Sequence, residues 1–333
     1  MYRRSMKAIC RTKDFGVESR DLEIPEPETE HLIIRVSACA INPGDLLWIA
    51  GGLSKSPRSL YDICGVSGAG IVVEIGKKVP AEFRGKKVAF YRSIKATEYL
   101  VGTWCEFARL HYLNCIVLPD DAKLEDYSGT LVNSISPYAF MRQIDQTEHK
   151  AVICTAGTSA TGRALLGVCL SKDFPVISIV RKETGKEALR KLGGKFILSQ
   201  SDPDFEIEFK RLAEELRATA VFDGVGGDLI NKLVNILPFG STVYAYGFLG
   251  GDKPLGFPTK VLQMNALTLT YFSISRSPVV LDPQSLRNSL IDLRKIIDRP
   301  HFKTEIGKKY KMEEINEALQ YSSNSGDKAV IFF

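Results

Sequence analysis

With 333 residues, 44% of them hydrophobic and 25% charged, the chain has the makeup of an ordinary globular protein of about two domains. A net charge of +5 with no run of basic residues argues against nucleic acid or a membrane surface as partner and leaves the surplus for an anionic cofactor. No apolar run reaches the ~18–20 residues that cross a bilayer, and the opening "MYRRSMKAIC" lacks the apolar stretch of a secretory signal; the expected compartment is the cytoplasm.

The early chain is a series of short β-branched or aromatic runs: "HLIIRVSACAI" (31–41), "GAGIVVEIG" (68–76), "GKKVAFY" (85–91) and "FARLHYLNCIVLP" (107–119). Gly, Pro and charged turns separate them, the pattern of a compact barrel-like domain. From about Leu124 strands and helices alternate. Strand "KAVICTA" (150–156) leads to helix "SATGRALLGVCLSK" (159–172), strand "FPVISIV" (174–180), helix "ETGKEALRKLGG" (183–194) and strand "KFILS" (195–199). Helix "DFEIEFKRLAEELRA" (204–218), strand "TAVFDGV" (219–225), helix "DLINKLVNILPFG" (228–240), strand "STVYAYGFLG" (241–250) and strand "ALTLTYF" (266–272) follow. Strands joined by helices predict right-handed crossovers and a doubly wound parallel sheet. The tail "GKKYKMEEINEALQYSSNSGDKAVIFF" (307–333) reads as strand, helix, turn, strand, and is expected to rejoin the first domain. The expected fold is α/β, with a discontinuous β-rich domain over 1–124 and 306–333 and a six-stranded dinucleotide-binding domain over 125–305.

The seven cysteines are Cys10, Cys39, Cys64, Cys105, Cys115, Cys154 and Cys169. They form no C-x-x-C pair and sit among apolar neighbours, so buried free thiols are expected rather than a zinc ribbon or a disulfide framework.

Between the first strand and helix of the second domain lies Gly157-Thr158-Ser159-Ala160-Thr161-Gly162. It departs from the G-x-G-x-x-G dinucleotide turn only at Ser159. Gly157 allows the sharp exit from the strand, and Gly162 lets the helix pack on the sheet. Ser159 is small, and its hydroxyl can donate to a phosphate oxygen. The helix N-terminus adds amide donors and partial positive charge. The alternative is a tight strand-to-helix turn with no ligand. A G-x-S-x-G nucleophile elbow is set aside, because its last glycine falls on Thr161. The second strand ends in Val180-Arg181-Lys182, where an NAD site carries Asp or Glu for the ribose 2′-OH. Two cations at a helix start oppose the helix dipole, and a 2′-phosphate supplies a reason for them. NADPH is the expected cofactor, with Lys186 one turn on as a third contact.

With "ACAINPGDL" (38–46), "GVSGAGIVVEIG" (65–76), the Gly157 turn, "VFDGVGG" (221–227) and "YGFLGG" (246–251), the chain resembles the medium-chain dehydrogenase/reductase superfamily over nearly its whole length. The resemblance implies a GroES-like catalytic domain plus a Rossmann domain, with the active site in the cleft between them. Zinc alcohol dehydrogenases place ligands where this chain has Asn42, Val66 and a residue near Val132, and valine cannot ligate. The four-cysteine structural zinc lobe has no counterpart between Tyr91 and Cys105. His31, His111, His149 and His301 are scattered, each expected as a surface or capping residue. No metal is expected, and the chain resembles the zinc-independent quinone oxidoreductases and enoyl thioester reductases.

By that resemblance the nicotinamide end meets Asn133, Gly247, Phe248, Phe272, Ser273 and Ile274, and Val225 is a further cofactor-binding residue. The catalytic tyrosine of the thioester reductases falls at or near Leu53, and Tyr61 stands a little further on. Asn42 is expected to face the nicotinamide and donate from its amide, or else to be a turn residue before Pro43. Tyr61 is a candidate donor to an enolate or hydroquinone oxygen, or else ordinary packing. Asp45 is read as fixing the "NPGD" turn. The implied activity is NADPH-dependent reduction of quinones or α,β-unsaturated carbonyls. Thioester reduction and a non-enzymatic NADPH-binding role are the alternatives. The strand at 266–272 is an edge that invites pairing into a homodimer.

Overall fold

The computed structural model describes residues 5–52, 59–92, 94–95, 101–323 and 326–333. The chain forms two compact units, Met1–Ile135 with Val280–Phe333, and Ser136–Val279. The second unit is shorter than the 125–305 span read from the sequence. The helix Pro283–Arg294 accounts for part of the difference, since its Leu290 and Ile291 line a small cleft with Phe83, Tyr112 and Val117 of the first unit.

The first unit carries strands β1 (Ser5–Arg11), β2 (Val17–Glu23), β3 (His31–Ala40), β4 (Ser67–Ile75), β5 (Lys87–Tyr91), β6 (Phe107–His111) and β7 (Cys115–Val117). β1 and β2 form an antiparallel pair. The short helix α1 (Pro43–Ile49) follows β3, and the helix α2 (Thr130–Ile144) begins after β7. The tail does return here, as the sequence predicts. It supplies β14 (Ile306–Lys311), a short helix at Ile315–Leu319 and β15 (Lys328–Phe332). The sheet order is β14-β15-β3-β4-β5-β7, with β6 also pairing β3. β3 is the hub because its apolar run faces the core: Leu32, Ile34 and Val36 are buried with Phe90, Trp104 and Val117. β15 lies antiparallel to β3 with Val330 opposite Ala40, which places Lys328 beside Asn42 at the end of the ladder.

The second unit contains β8 (Ala151–Cys154), β9 (Val176–Val180), β10 (Phe196–Ser199), β11 (Ala218–Asp223), β12 (Thr242–Ala245) and β13 (Thr268–Tyr271). Every pairing in it is parallel, and the order is β10-β9-β8-β11-β12-β13. That is the doubly wound dinucleotide order, with its switch point between β8 and β11. Helices α3 (Ala160–Ser171), α4 (Glu183–Lys191), α5 (Phe205–Glu215) and α6 (Gly227–Leu233) are the crossovers. α4 ends at Gly193, whose φ of +85° suits glycine past a helix C-terminus. β8 and β9 are buried at every position, as a sheet covered on both faces requires. Phe222 stacks on Phe140 at 4.3 Å and on Tyr246 at 4.0 Å.

All seven cysteines are buried and free. Burial pushes the thiols up, Cys10 to about 11 and Cys154 to about 12, so they behave as small apolar groups. No helix among the described residues is long and apolar enough to cross a membrane.

The histidines are less scattered than the sequence suggests, because β3 and β6 put His31 opposite His111 with ring centroids 5.6 Å apart. His111 Nδ1 accepts from the Leu113 amide at 3.1 Å, a capping role. Burial, then the neighbouring His31, push His111 down from 6.5 to about 4. A histidine held neutral in the fold stabilises it above pH 6.5, and that stabilisation is lost as pH falls from 6.5 toward 4. The unfolding free energy should therefore fall across this window, by about 3 kcal/mol at most from this group. His111→Asn, which can still accept from Leu113, should fall less. Urea melts at pH values spanning the window check it.

Candidate cofactor and substrate sites

The turn from β8 into α3 is built as a dinucleotide turn, with one difference. The Gly157 amide donates to the Ile179 carbonyl of β9 at 2.9 Å, which fixes the turn against the neighbouring strand. A Cβ at Gly162 would overlap the Ala156 carbonyl oxygen and stand 2.7 Å from that of Gly157, so only glycine lets the helix start here. The Ser159 hydroxyl donates to the Ala156 carbonyl at 2.8 Å and accepts from the Gly162 amide at 3.0 Å. Its single proton is therefore committed to the turn, which corrects its reading as a phosphate donor: Ser159 is the helix N-cap. Anion contacts at this end fall to first-turn backbone amides such as that of Ala160, which have no intrahelical acceptor. Arg163, buried in the first turn, donates to the Thr158 carbonyl at 2.9 Å and braces the loop from beneath. Sequence reasoning passed over it, because its position inside a helix carries no signal.

β9 ends beside this turn. The Thr158 methyl lies against Gly185, at 3.0 Å from where a Cβ there would be, and Val180 packs on the same glycine. Arg181 and Lys182 follow, both exposed and without an ion pair among the described residues. Lys186 differs from expectation. It is held by Asp202 at 2.7 Å and Glu183 at 3.0 Å, and these partners push its pKa up. Its charge is compensated within the fold, so it is no ready third phosphate contact.

The far side of the switch point is shaped by Asp223. It is buried and accepts from Thr155 at 2.6 Å and from the Val225 and Gly226 amides at 3.0 and 3.1 Å. Val225 is half-buried in that bend, and its carbonyl accepts from the Gly250 amide at 2.9 Å. Gly247 packs closely on Gly224, while Phe248 is exposed. Ser273 and Ile274 are half-buried. The Phe272 ring is buried edge-on to Phe140 and Phe222 at 5.7 and 5.6 Å, so only the backbone of this residue is left to meet a ligand.

In the first unit, Asn42 is buried and engaged on every side. Its Nδ2 faces the Ala40 carbonyl at 3.1 Å, Asp45 Oδ2 at 3.2 Å and Ser67 Oγ at 3.0 Å. Its Oδ1 accepts from Lys328 Nζ at 2.9 Å. An amide has two donor hydrogens, and three acceptors surround them here. The expectation that Asn42 donates outward is thereby replaced by a bracing role at the head of α1. Asp45 closes the turn, as read from the sequence, accepting from the Asn42 amide at 2.8 Å. Its Oδ1 is buried without a hydrogen-bond partner among the described residues. Burial pushes this carboxyl up to about 6 against the pull of Asn42, Arg92 and Lys328.

Asn133 lies near by in the fold: its Nδ2 donates to the Gly129 carbonyl at 2.6 Å. A Cβ at Gly129 would be 3.3 Å from Asn133 Nδ2 and 3.5 Å from Lys328 Cδ. Asn42, Asn133 and Lys328 thus converge, and Lys328 is the member sequence reasoning missed. Tyr61 is 60% exposed, and it and Asp62 both have φ of +57°. Two consecutive non-glycine residues in the left-handed region mark a strained turn. No hydrogen bond among the described residues joins Tyr61 to Asn42, and Leu53 lies outside the described residues. Val66 and Val132 carry no ligating group, and no cluster of His, Cys, Asp or Glu able to hold a metal occurs among the described residues.

Comparison with known proteins agrees with this architecture. Residues 28–120 match the alcohol dehydrogenase GroES-like domain. The mitochondrial enoyl-[acyl-carrier-protein] reductase of Xenopus tropicalis is 23% identical over 91% of this chain and 87% of its own. The quinone oxidoreductase of Lama guanicoe is 22% identical over 98% of each chain. A mycobacterial protein solved in complex with NADPH superposes with a TM-score of 0.77 at 20% identity, covering 99% of this chain and all of that one.

Proposed function

We infer that this chain, which belongs to the medium-chain dehydrogenase/reductase superfamily, is an NADPH-dependent oxidoreductase that reduces quinones or α,β-unsaturated carbonyls without zinc. The observation that carries the reading is the junction of β8, α3 and β9. A glycine turn caps a buried helix there, beside two exposed cations at the strand end where an NAD site carries a carboxylate. The α3 N-terminus suits a pyrophosphate, and Arg181 and Lys182 suit a 2′-phosphate. The names of the two relatives, a quinone oxidoreductase and an enoyl reductase, support an electron-poor double bond as acceptor.

NADPH supplies a hydride when bound. What remains for the protein is to hold the acceptor and to stabilise negative charge on its oxygen. A conjugated acceptor spreads that charge, so a few donors or one cation suffice, whereas an isolated ketone demands a stronger electrophile. Purified protein is expected to oxidise NADPH with small quinones or enones and to leave ethanol and benzyl alcohol untouched with NADP⁺. An acyl thioester as the only accepted substrate would favour the enoyl reductase alternative. NADPH binding with turnover of none of them would favour a non-enzymatic role.

We also propose a homodimer through β13. Its four residues are all exposed. The Thr268 and Phe272 amides donate inward to β12 and its flank, at Ser241 and Ala245, so by alternation Leu269 and Tyr271 present theirs outward. Leu269→Pro removes one outward donor without touching the inward ladder. It should convert a dimer to a monomer in light scattering; a wild-type protein that is already monomeric at micromolar concentration would refute the proposal.

A further inference from the structure

The strand β11 ends in a charge. Asp223 follows the apolar run Ala220, Val221 and Phe222 and is buried, where a carboxylate loses its hydration. Three donors offset that loss. Oδ1 accepts from the Thr155 hydroxyl at 2.6 Å, from the Val225 amide at 3.0 Å and from the Gly226 amide at 3.1 Å, and Oδ2 shares the Gly226 amide at 3.1 Å. Thr155 Oγ1 in turn accepts from the Gly224 amide at 3.0 Å. The residue after β8 and the bend after β11 are thus closed into one ring of hydrogen bonds at the switch point of the sheet.

The ring shapes a loop that it does not contain. Beyond β12 the Tyr246 amide donates to the Asp223 carbonyl at 2.8 Å, the Leu249 amide to that of Gly224 at 2.9 Å and the Gly250 amide to that of Val225 at 2.9 Å. Residues 247–250 therefore hang on the bend at 224–226. A Cβ at Gly247 would stand 3.1 Å from the Gly224 oxygen, so the two segments lie close along their backbones. Phe248 and Leu249, at the tip, are exposed. The Gly157 turn is fixed separately, through the Ile179 carbonyl of β9.

A doubly wound sheet takes a dinucleotide as two halves, one on each side of the switch point. The adenosine half falls to the β9 side, with Arg181, and the nicotinamide half to the β11–β12 side. We propose that Thr155 and Asp223 are a positioning pair for the nicotinamide half of the cofactor. They act by holding the bend from which residues 247–250 hang, not by lending a charge, since the donors around Asp223 already satisfy its carboxylate. This rests on the NADPH reading above.

The test titrates NADPH and adenosine 2′,5′-bisphosphate against the full chain as wild type, Thr155→Val, Thr155→Ser and Asp223→Asn. The bisphosphate carries the adenosine half alone. Thr155→Val keeps the shape of the side chain but removes the donor to Asp223 and the acceptor of the Gly224 amide. It should weaken NADPH about ten-fold and leave the bisphosphate within about two-fold of wild type, because that half is held at a separate place. Thr155→Ser keeps the hydroxyl and should bind both as the wild type does. Asp223→Asn loses the charge and turns an amide donor toward the bend, so it should show the same split between the two probes even where Thr155→Val fails to fold. The fluorescence gain of the bound dihydronicotinamide, which reports how firmly the ring is held, should fall in step with NADPH affinity. Equal losses of both probes in Thr155→Val and Asp223→Asn would mark a general structural role and overturn the inference. Unchanged NADPH affinity in both variants would overturn it as well. A wild type that binds neither probe fails the NADPH reading itself, and the positioning pair falls with it.

Discussion

Replacing Arg181 with glutamate is expected to weaken NADPH binding by tens-fold or more and NADH binding far less. Arg181 follows the last residue of β9, exposed and without an ion-pair partner among the described residues. A charge-assisted hydrogen bond to a phosphate contributes roughly 1.5–3 kcal/mol, and each ~1.4 kcal/mol is tenfold in affinity. Glutamate removes that bond and sets a negative charge against the 2′-phosphate. NADH carries no phosphate there, and a carboxylate can accept from its 2′-OH. Lys186 is the internal control. Asp202 and Glu183 already compensate its charge, so Lys186→Ala should change NADPH affinity by only a few-fold. Fluorescence titration of both cofactors against the three proteins decides the matter. Equal losses for NADPH and NADH in Arg181→Glu would remove the assignment of the 2′-phosphate to this strand end.

The doubly wound sheet was legible because its parallel strands are buried on both faces. "KAVICTA" and "FPVISIV" read as continuous apolar runs for that reason, and α4 ends in a recognisable glycine, Gly193. The helix α2 was not legible. "TLVNSISPYAFMRQI" contains Pro137, and its buried residues Leu131, Ile135, Ala139, Phe140 and Met141 do not make the single apolar stripe by which a surface helix is recognised. At the sites, spacing revealed the turn but not which atoms remain available. Ser159 and Asn42 both look like outward donors on paper, yet each spends its hydrogens on the backbone or neighbours that shape its own helix start. Lys328 left no local signal at all: only the β15 register brings it to Asn42. Phe272, named by resemblance, has its ring in the core, which the apolar run "ALTLTYF" does not distinguish from a ring facing a ligand.

The largest structural effect is expected at Gly162, where Gly162→Val should both destabilise the protein and impair binding of NADPH and NADH alike. The obstruction is backbone: the Ala156 carbonyl oxygen would overlap a Cβ, its carbon would stand 2.9 Å away and the Gly157 oxygen 2.7 Å. No rotamer change relieves that. Either the turn lifts from β8 or α3 shifts, and α3 is buried from Gly162 through Cys169. Overpacking of this kind costs typically about 1–3 kcal/mol, which for a protein of this size lowers the melting temperature by several degrees. Moving the turn also displaces the first-turn amides that would hold the pyrophosphate, so both cofactors lose affinity together, in contrast to Arg181→Glu. Gly162→Ala already carries the offending Cβ and should show most of the effect. Gly44→Ala is the matched control, because a Cβ there meets nothing within 4 Å. Thermal melts with cofactor titrations on the three variants separate the outcomes. If Gly162→Ala melts and binds as the wild type does, the turn has room to relax, and its glycine is not what lets α3 approach the sheet.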